Sequence, residues 1–360
     1  MRPLALLLVL AAPVVHAQAD AEAVLAALAA RRPDVSLVAY PVGAPEAGVF
    51  VNADRPRPLA STVKLLVLAE YARQVEEGRL DPAERVPRAA LDAFYLPGSD
   101  GGAHEGAMAA LGVAPADTLA LDEVAWAMIR HSDNAATDYL LLRFGREAAD
   151  AIPEHLGLRH ADPPVPIGGL FLAWALPHEV GDETAIGADA TTARAWALAA
   201  RLRDDAGFRA TAPQRLMAEL ADLGYDGQAA AAFSSPSGTA REYAGLMARL
   251  HEGTLLSEAA SARMLALLDW PMDFPGNQAR FDQLATKGGT LPGILTSAYL
   301  GDARGVAGAD PPPTVLALFM EGLPAAVWGE WIQSYAHQAF EARLLEDPAF
   351  LEAVRERLGE

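Results

Sequence analysis

The sequence predicts an α+β fold: an antiparallel sheet flanked by N- and C-terminal helices, plus an all-α subdomain. Two observations support this. Stretches typical of β-strands lie towards both ends of the chain, at residues 35–40, 48–52, 283–290, 293–300 and 314–320. Between them, apolar segments with helical spacing alternate with Gly- and Pro-containing turns. Pairing the end strands into one sheet and packing the middle helices as a subdomain is the simplest arrangement that buries both sets.

The elements in chain order lead to a division into subdomains. A first helix is expected over 19–32, a hairpin over 35–52, and a buried helix from about Ser61 to Gly78. Further helices are expected over 121–129, 146–158, 192–202, 213–223, 240–250 and 257–268, with a loop at 159–169 and one or two helices over 327–357. We therefore predict an α/β subdomain formed by residues 18–78 and 240–360 and an all-α subdomain over 79–239.

The first 17 residues have the pattern of an export signal. Arg2 precedes an apolar run from Leu4 to Val15, and Val15-His16-Ala17 resembles a small-x-small cleavage site. This run is too short to cross a bilayer, which takes about 20 residues. We expect cleavage after Ala17, a secreted or periplasmic protein and no membrane span in the mature chain.

Composition excludes several classes of function. The formal net charge of −19 argues against nucleic acid or an anionic membrane as partner. The absence of cysteine excludes disulfides and thiolate catalysis. There is no H-E-x-x-H, no G-x-S-x-G and no dinucleotide glycine signature. We therefore expect no metal and no cofactor.

Ser61 and Lys64 form an S-x-x-K motif at the start of the predicted buried helix. Three residues apart on a helix, they share one face, so a neutral Lys64 could take the hydroxyl proton of a nucleophilic Ser61. Taken alone, the motif is better explained by Ser61 as a helix cap and Lys64 as a solvated side chain. The chain, however, holds two lysines, Lys64 and Lys287, among 28 basic residues. Arginine cannot replace a lysine that must lose its proton, which favours a chemical role for both.

Two further motifs follow in a fixed order, Ser132-Asp133-Asn134 and Lys287-Gly288-Gly289. Each is weak alone, and Ser-Asp-Asn could simply cap a helix. Together with S-x-x-K, the order and spacing resemble the class A β-lactamase and penicillin-binding serine hydrolase superfamily, from about Val35 to the C-terminal helix.

The resemblance implies a β-lactamase/transpeptidase-like fold and assigns roles. Ser61 would be acylated, Lys64 would accept its proton, Ser132 would relay a proton to the leaving group, and Lys287 would supply positive charge. Asn134 would hold Lys64 and a substrate amide. The oxyanion hole would consist of the backbone N–H groups of Ser61 and Thr290, beside Gly289.

The sequence departs from the family pattern in two places. Gly288 occupies a position that usually carries a hydroxyl for the β-lactam carboxylate, a role that Thr290 could take over. The E-x-x-L-N motif, whose glutamate activates the deacylating water, is absent. Glu179, Asp182 and Glu183 lie in the corresponding region, where we interpret them as solvated loop residues. His131, beside Ser132, is interpreted as a structural histidine at a helix end.

We therefore expect an exported serine hydrolase that forms an acyl-enzyme at Ser61 with a β-lactam or a related amide or ester. The alternatives are a D-alanyl-D-alanine carboxypeptidase or an esterase on the same fold, or a penicillin-recognising sensor domain with negligible turnover. The partner is then a small-molecule or peptide substrate. The oligomeric state stays open.

Overall fold

The computed structural model describes residues 14–180, 188–305 and 311–359. Most of the expected signal peptide, residues 1–13, lies outside them, as do Asp182 and Glu183. The chain forms two compact units, one spanning Val63–Pro236 and the other comprising described residues 14–62 and 237–359. In the described part of the chain, none of the helices has both the length and the apolar character needed to cross a bilayer.

The described helices are α1 (Val14–Ala30), α2 (Lys64–Glu76), α3 (Arg88–Asp92), α4 (Ala103–Leu111), α5 (Leu121–Trp126), α6 (Asn134–Phe144), α7 (Arg146–Asp150), α8 (Ile152–His155), α9 (Ile167–Ala175), α10 (Ala188–Asp204), α11 (Ala206–Ala232), α12 (Ala240–His251), α13 (Glu258–Leu268), α14 (Pro275–Gln278), α15 (Ala325–Ser334), α16 (Ala336–Glu346) and α17 (Pro348–Leu358). The described strands are β1 (Val35–Pro41), β2 (Val49–Val51), β3 (Arg57–Pro58), β4 (Arg85–Pro87), β5 (Thr118–Ala120), β6 (Ser237–Gly238), β7 (Phe281–Leu291), β8 (Ile294–Ala303) and β9 (Thr314–Met320).

The unit formed by residues 14–62 and 237–359 is built on a five-stranded sheet with the order β2-β1-β9-β8-β7. All four strand pairs are antiparallel, and β1 pairs with β9 along its whole length, from Val35 opposite Met320 to Pro41 opposite Thr314. Strand β9 is buried throughout, which explains its unbroken apolar sequence, since a strand covered on both faces does not alternate. The predicted pairing of the end strands into an antiparallel sheet is confirmed.

Helices cover both faces of this sheet. On one face, α1, α16 and α17 share a continuous apolar core with the strands, in which Phe340 and Phe350 pack edge to face at 5.7 Å. On the other face, α12 contacts β1, β8 and β9, and Tyr243 meets Phe319 edge to face at 5.5 Å. The expected helix or pair of helices at the C-terminal end is a set of three, α15 to α17.

In its described residues, the unit Val63–Pro236 has helices and one two-stranded pair, β4–β5, which was not predicted from the sequence. Helix α6 contacts α2, α5 and α9, and α9 contacts α10 and α11. Gly169 of α9 lies against the backbone of Ala195 in α10, where a Cβ would overlap the Ala195 carbonyl oxygen. Glycine at this position therefore permits the close approach of α9 and α10.

Residues 159–169 were expected to form a loop, and this expectation is wrong at its C-terminal end. Helix α9 already begins at Ile167. Its first backbone N–H groups, of Ile167 and Gly168, donate to the carboxylate of Asp138 at 2.5 and 2.9 Å. A carboxylate distant in sequence thus satisfies the N-terminal donors that a helix leaves unpaired, which allows the helix to start within a Pro- and Gly-rich stretch.

Candidate active site

Ser61 lies in a 3₁₀ turn, Ala60–Val63, that runs directly into helix α2 at Lys64. The expected start of a helix near Ser61 is therefore a tighter turn that becomes α-helical at Lys64. Ala60, directly before Ser61, has a φ of 46°, in the left-handed region that non-glycine residues seldom occupy. Such backbone strain persists where the surrounding structure enforces it, commonly at functional sites.

Threonine side chains anchor this turn to strands β7 and β8. The hydroxyl groups of Thr62 and Thr296 lie 2.8 Å apart, and Thr296 Oγ1 also donates to the carbonyl oxygen of Leu59 at 2.7 Å. Gly289 of β7 lies so close that a Cβ there would overlap the backbone nitrogen of Ser61 and lie 2.8 Å from that of Thr62. The structure thus brings Gly289 and Ser61 together, and the contact requires glycine.

Lys287 and Thr290 lie on the same strand, β7. Lys287 is buried, and its Nζ donates to the carbonyl oxygen of Gly288 at 2.6 Å. The Thr290 hydroxyl donates to the carbonyl oxygen of Ile294 at 3.2 Å and accepts from Trp328 Nε1 at 3.1 Å. Because that bond to Ile294 uses its one proton, Thr290 in this arrangement does not donate to a substrate carboxylate.

Lys64, Ser132 and Asn134 meet in the unit Val63–Pro236. Lys64 is 0% exposed, and its Nζ lies 2.5 Å from the Ser132 carbonyl oxygen, 3.2 Å from Ser132 Oγ and 2.7 Å from Asn134 Oδ1. Burial lowers the pKa of Lys64 to about 8, against the opposing charges of Asp133, Asp100 and Asp138. A lysine with this pKa is neutral in a useful fraction of molecules near pH 7 and can act as a base.

The Ser-Asp-Asn motif connects two helices of different geometry. Ala127–His131 form a π-helical turn after α5, and Ser132 then takes a left-handed φ of 60°. Asp133 caps α6, because its Oδ1 accepts the backbone N–H of Ala136 at 3.1 Å. The capping role expected from the motif alone is present, and it holds Ser132 and Asn134 beside Lys64.

Two residues at this site were not predicted from the sequence, His104 and Asp138. His104 is buried and contacts Asp133 Oδ2 through Nδ1 at 2.8 Å. Asp138 is 0% exposed and receives the backbone N–H groups at the start of α9. Burial raises the pKa of Asp138 to about 7, against those backbone hydrogen bonds and the charge of Lys64. Asp138 follows Asn134 by one helical turn, which is the one signal in the sequence that could have indicated it.

Glu179 and His131 contact arginine and tryptophan side chains, respectively. One carboxylate oxygen of Glu179 accepts from Arg201 at 2.7 Å, and the other accepts from Arg215. The hydrogen bonds from Arg215 and Arg201 lower the pKa of Glu179, which makes it a weaker base. The His131 ring packs on Trp126, with ring centroids 5.1 Å apart. Burial and the adjacent Arg130 lower the pKa of His131.

A model of the β-lactamase enzyme family matches residues 19–334. The chain belongs to this family. It is therefore a serine hydrolase of the β-lactamase type, as the three motifs predicted.

Solved structures with the same fold cover nearly the whole chain. A β-lactamase from Sphaerobacter thermophilus is 21% identical with a TM-score of 0.58, over 91% of this chain and 96% of that one. A β-lactamase from Chitinophaga pinensis is 14% identical with a TM-score of 0.55, over 90% and 99%. A mutant of PBP-A, described as an acyl-enzyme complex with penicillin G, is 18% identical with a TM-score of 0.53, over 90% and 96%. No curated protein matches the chain by sequence.

Proposed function

We propose that this protein is an exported serine hydrolase whose Ser61 is acylated by β-lactams or related amides and esters, and that it releases β-lactam adducts slowly. One observation carries the acylation half of the proposal. Lys64, three residues after Ser61 in sequence, is fully buried and hydrogen-bonded to Ser132 and Asn134, with a pKa of about 8. A buried lysine held in this way is suited to removing a proton from a serine hydroxyl.

The proposed reaction begins when Ser61 Oγ attacks the substrate carbonyl carbon and its proton passes to neutral Lys64. The carbonyl oxygen then carries negative charge, which the backbone N–H groups of Ser61 and Thr290 would stabilise; loss of one such donor typically costs about 3 kcal/mol. Ser132 would pass a proton to the leaving nitrogen or oxygen as the bond to carbon breaks. Lys287 would favour this relay through its positive charge.

The slow release of β-lactam adducts is expected because the sequence lacks the motif whose glutamate activates the deacylating water. The sequence has no E-x-x-L-N motif, and Glu179, a carboxylate of the corresponding region, is paired with two arginines. Without the glutamate of that motif to activate water, a bulky acyl group is expected to persist. Small esters leave a less crowded acyl-enzyme, so they are expected to turn over faster.

A second candidate function is peptide or ester hydrolysis, as in a D-alanyl-D-alanine carboxypeptidase or an esterase. Gly288 has no hydroxyl, and the Thr290 hydroxyl proton is already donated to Ile294. Both observations favour an esterase over a carboxypeptidase, because a D-alanyl-D-alanine peptide ends in a carboxylate that such a hydroxyl would contact. A sensor with negligible turnover is the third candidate. It would need the same base for acylation, so the lowered pKa of Lys64 is expected in a sensor and in a hydrolase alike, and ester turnover is what separates the two.

Export is proposed from the N-terminal sequence, with Arg2 before the apolar run Leu4–Val15 and a cleavage site after Ala17. N-terminal sequencing of the protein recovered from a secreting host tests it. A mature chain that starts at Gln18 supports export, and an uncleaved chain retained in the cytoplasm contradicts it.

Timed intact-protein mass spectrometry tests the catalytic proposal. Penicillin G and a simple phenyl ester are added separately, and the acylated fraction is followed after the free substrate is removed. We expect a lactam adduct that lasts for hours beside ester turnover within minutes. Rapid release of the lactam adduct would overturn slow deacylation, and Glu179→Gln would then show whether that carboxylate activates the water. A chain that no substrate acylates would overturn the proposal as a whole.

A further inference from the structure

A buried network of charges lies behind the Ser-Asp-Asn motif, within the unit Val63–Pro236. Asp133 is 0% exposed, and its Oδ2 lies 2.8 Å from Nδ1 of His104, which is 1% exposed. The other ring nitrogen of His104, Nε2, lies 2.9 Å from Oδ1 of Asp92. A neutral imidazole has one N–H donor, whereas hydrogen bonds to two carboxylates require two N–H donors. The geometry therefore calls for a doubly protonated, positively charged ring.

The position of His104 is fixed by its surroundings. His104 lies in the first turn of α4, and the carboxylate of Asp100 accepts the backbone N–H groups of Gly102 and His104, each at 3.0 Å. The Tyr95 ring packs on the imidazole, with centroids 4.5 Å apart. Burial alone would lower the pKa of His104, but the hydrogen bonds and charges of Asp133 and Asp92 outweigh it and raise the pKa to about 9.

The positive charge of the His104 ring affects the ionisation of Lys64. Lys64 Nζ bonds the residues on either side of Asp133, and the negative charges that favour its protonated form are Asp133 first and Asp100 second. His104 contacts both, through its ring and its backbone N–H respectively. A positive charge at the ring offsets the field of Asp133 at Lys64, because charges of opposite sign in close contact act at a distance as a weak dipole.

The other charged groups around the pair do not supply this compensation. Arg88 lies at Asp92 rather than at Asp133, with Nε 3.3 Å from Asp92 Oδ1. His131 faces Gly106 of α4, but burial lowers its pKa, so it is neutral at pH 7. Among the described residues of this unit, the titratable and charged groups that interact with His104 or Lys64 are Asp92, Tyr95, Asp100, Asp133 and Asp138, and those that interact with these partners are Arg88, Glu105 and His131.

We propose that the His104 imidazolium neutralises the Asp133 carboxylate and thereby allows Lys64 to lose its proton, which makes His104 a positioning residue for acylation. This rests on the proposed role of Lys64 as the base. His104 itself touches no reacting atom in the proposed reaction. Its removal is expected to leave Asp133 as an uncompensated buried negative charge and so to hold the proton on Lys64 more tightly.

The chain offers a direct test, because it has two lysines. Carbon-13-labelled lysine gives two Cε signals whose pH titration reads each ammonium group, and Lys287→Arg assigns the signal of Lys64. We expect His104→Gln to raise the titration midpoint of Lys64 by about one pH unit, the lower end of the effect of an adjacent charge. An unchanged midpoint overturns the proposal. His131→Gln is the matched control, expected to leave the midpoint where it is because that ring carries no charge.

A double-mutant cycle isolates the mechanism. In an Asp133→Asn background an amide oxygen can still cap α6, but the buried His104 ring loses the carboxylate that most favours its charged form. The ring is then expected to lose its charge, so His104→Gln is expected to change the Lys64 midpoint by less than a third of its effect in the native protein. An equal effect in both backgrounds would show that His104 acts by another route. If the variants do not fold, nitrogen-15 spectra of the native ring decide: a neutral His104 at pH 7 overturns the proposal.

The pH profile of Ser61 acylation then separates this proposal from the proposed function. In the native protein, acylation is expected to rise with pH through a midpoint near that of Lys64, and in His104→Gln both midpoints are expected to move up together. If the Lys64 midpoint moves and the acylation profile does not, charge compensation by His104 holds but Lys64 is not the base. If acylation follows Lys64 while His104→Gln moves neither, the base is right and the role of His104 is wrong.

Discussion

Replacing Gly289 with alanine tests the close approach between strand β7 and the turn that carries Ser61. A Cβ at residue 289 would overlap the backbone nitrogen of Ser61 and lie 2.8 Å from both the Thr62 nitrogen and Thr296 Oγ1. Separations below 3.0 Å are essentially never seen for a Cβ, so the turn and the strand must move apart. Two of the three atoms belong to the main chain, and main-chain atoms cannot relieve the overlap by a change of side-chain rotamer.

The expected magnitudes follow from these contacts. Overpacking a filled site costs about 1–3 kcal/mol of stability, and we expect about 2 kcal/mol or more because main-chain atoms must shift. The displaced nitrogen is also a proposed oxyanion donor. Loss of one such donor lowers the rate about 100-fold to 1,000-fold, so acylation is expected to fall by at least about 100-fold.

Gly288→Ala is the matched control on the neighbouring residue of the same strand. A Cβ there meets nothing closer than the carbonyl oxygen of Thr296 at 3.6 Å, an ordinary contact. Because alanine orders a strand more readily than glycine, we expect stability to be unchanged or slightly raised, by about 0.5 kcal/mol. Urea unfolding measures stability, and stopped-flow acylation by a chromogenic cephalosporin measures activity. If the two alanine variants behave alike, the close approach of β7 to Ser61 is wrong.

Three further predictions follow. Asp138→Ala removes the acceptor for the first N–H groups of α9 and is expected to cost about 3 kcal/mol in urea unfolding, whereas Asp138→Asn, which keeps one acceptor oxygen, is expected to cost less; equal losses would contradict this account of α9. Gly288→Thr supplies a hydroxyl and is expected to speed acylation by carboxylate-bearing β-lactams about tenfold, with ester acylation unchanged; a uniform change would refute it. The stabilising effect of the His104 ion pairs is expected in full below pH 6.5 and to disappear as the pH rises through about 9, because the pKa of His104 is raised in the folded state; urea unfolding of the native protein and His104→Gln across this range measures it, and a constant difference would contradict it.

Much of the fold could be predicted from the sequence because its signals are local. Thr314–Met320 is a continuous run of strand-forming residues, and β9 has the same bounds. Ser257 was expected to open a helix, and its Oγ accepts the N–H of Ala260 at the start of α13. The meeting of Lys64, Ser132 and Asn134 followed from the family resemblance, since nothing local in the sequence brings residues about 70 positions apart together.

The features that the sequence did not reveal depend on contacts between distant residues. Helix α9 begins at Ile167 because Asp138, 29 positions earlier, accepts its N–H. His104 lies in a stretch rich in glycine and turn residues, and its charge depends on Asp133, 29 positions later. Local patterns report helix and strand preference, but they do not report which carboxylate a folded chain brings to a given N–H.

The site of acylation tests the central claim most directly. Trypsin does not cleave before proline, so Ser61 falls on the peptide 32–64 and Ser132 on 131–143. After a brief reaction with penicillin G and an acid quench, we predict the adduct on peptide 32–64, localised by fragmentation to Ser61. Folded Ser61→Ala is predicted to carry no adduct. An adduct on 131–143, or an adduct that survives in Ser61→Ala, would contradict the assignment of Ser61 as the nucleophile.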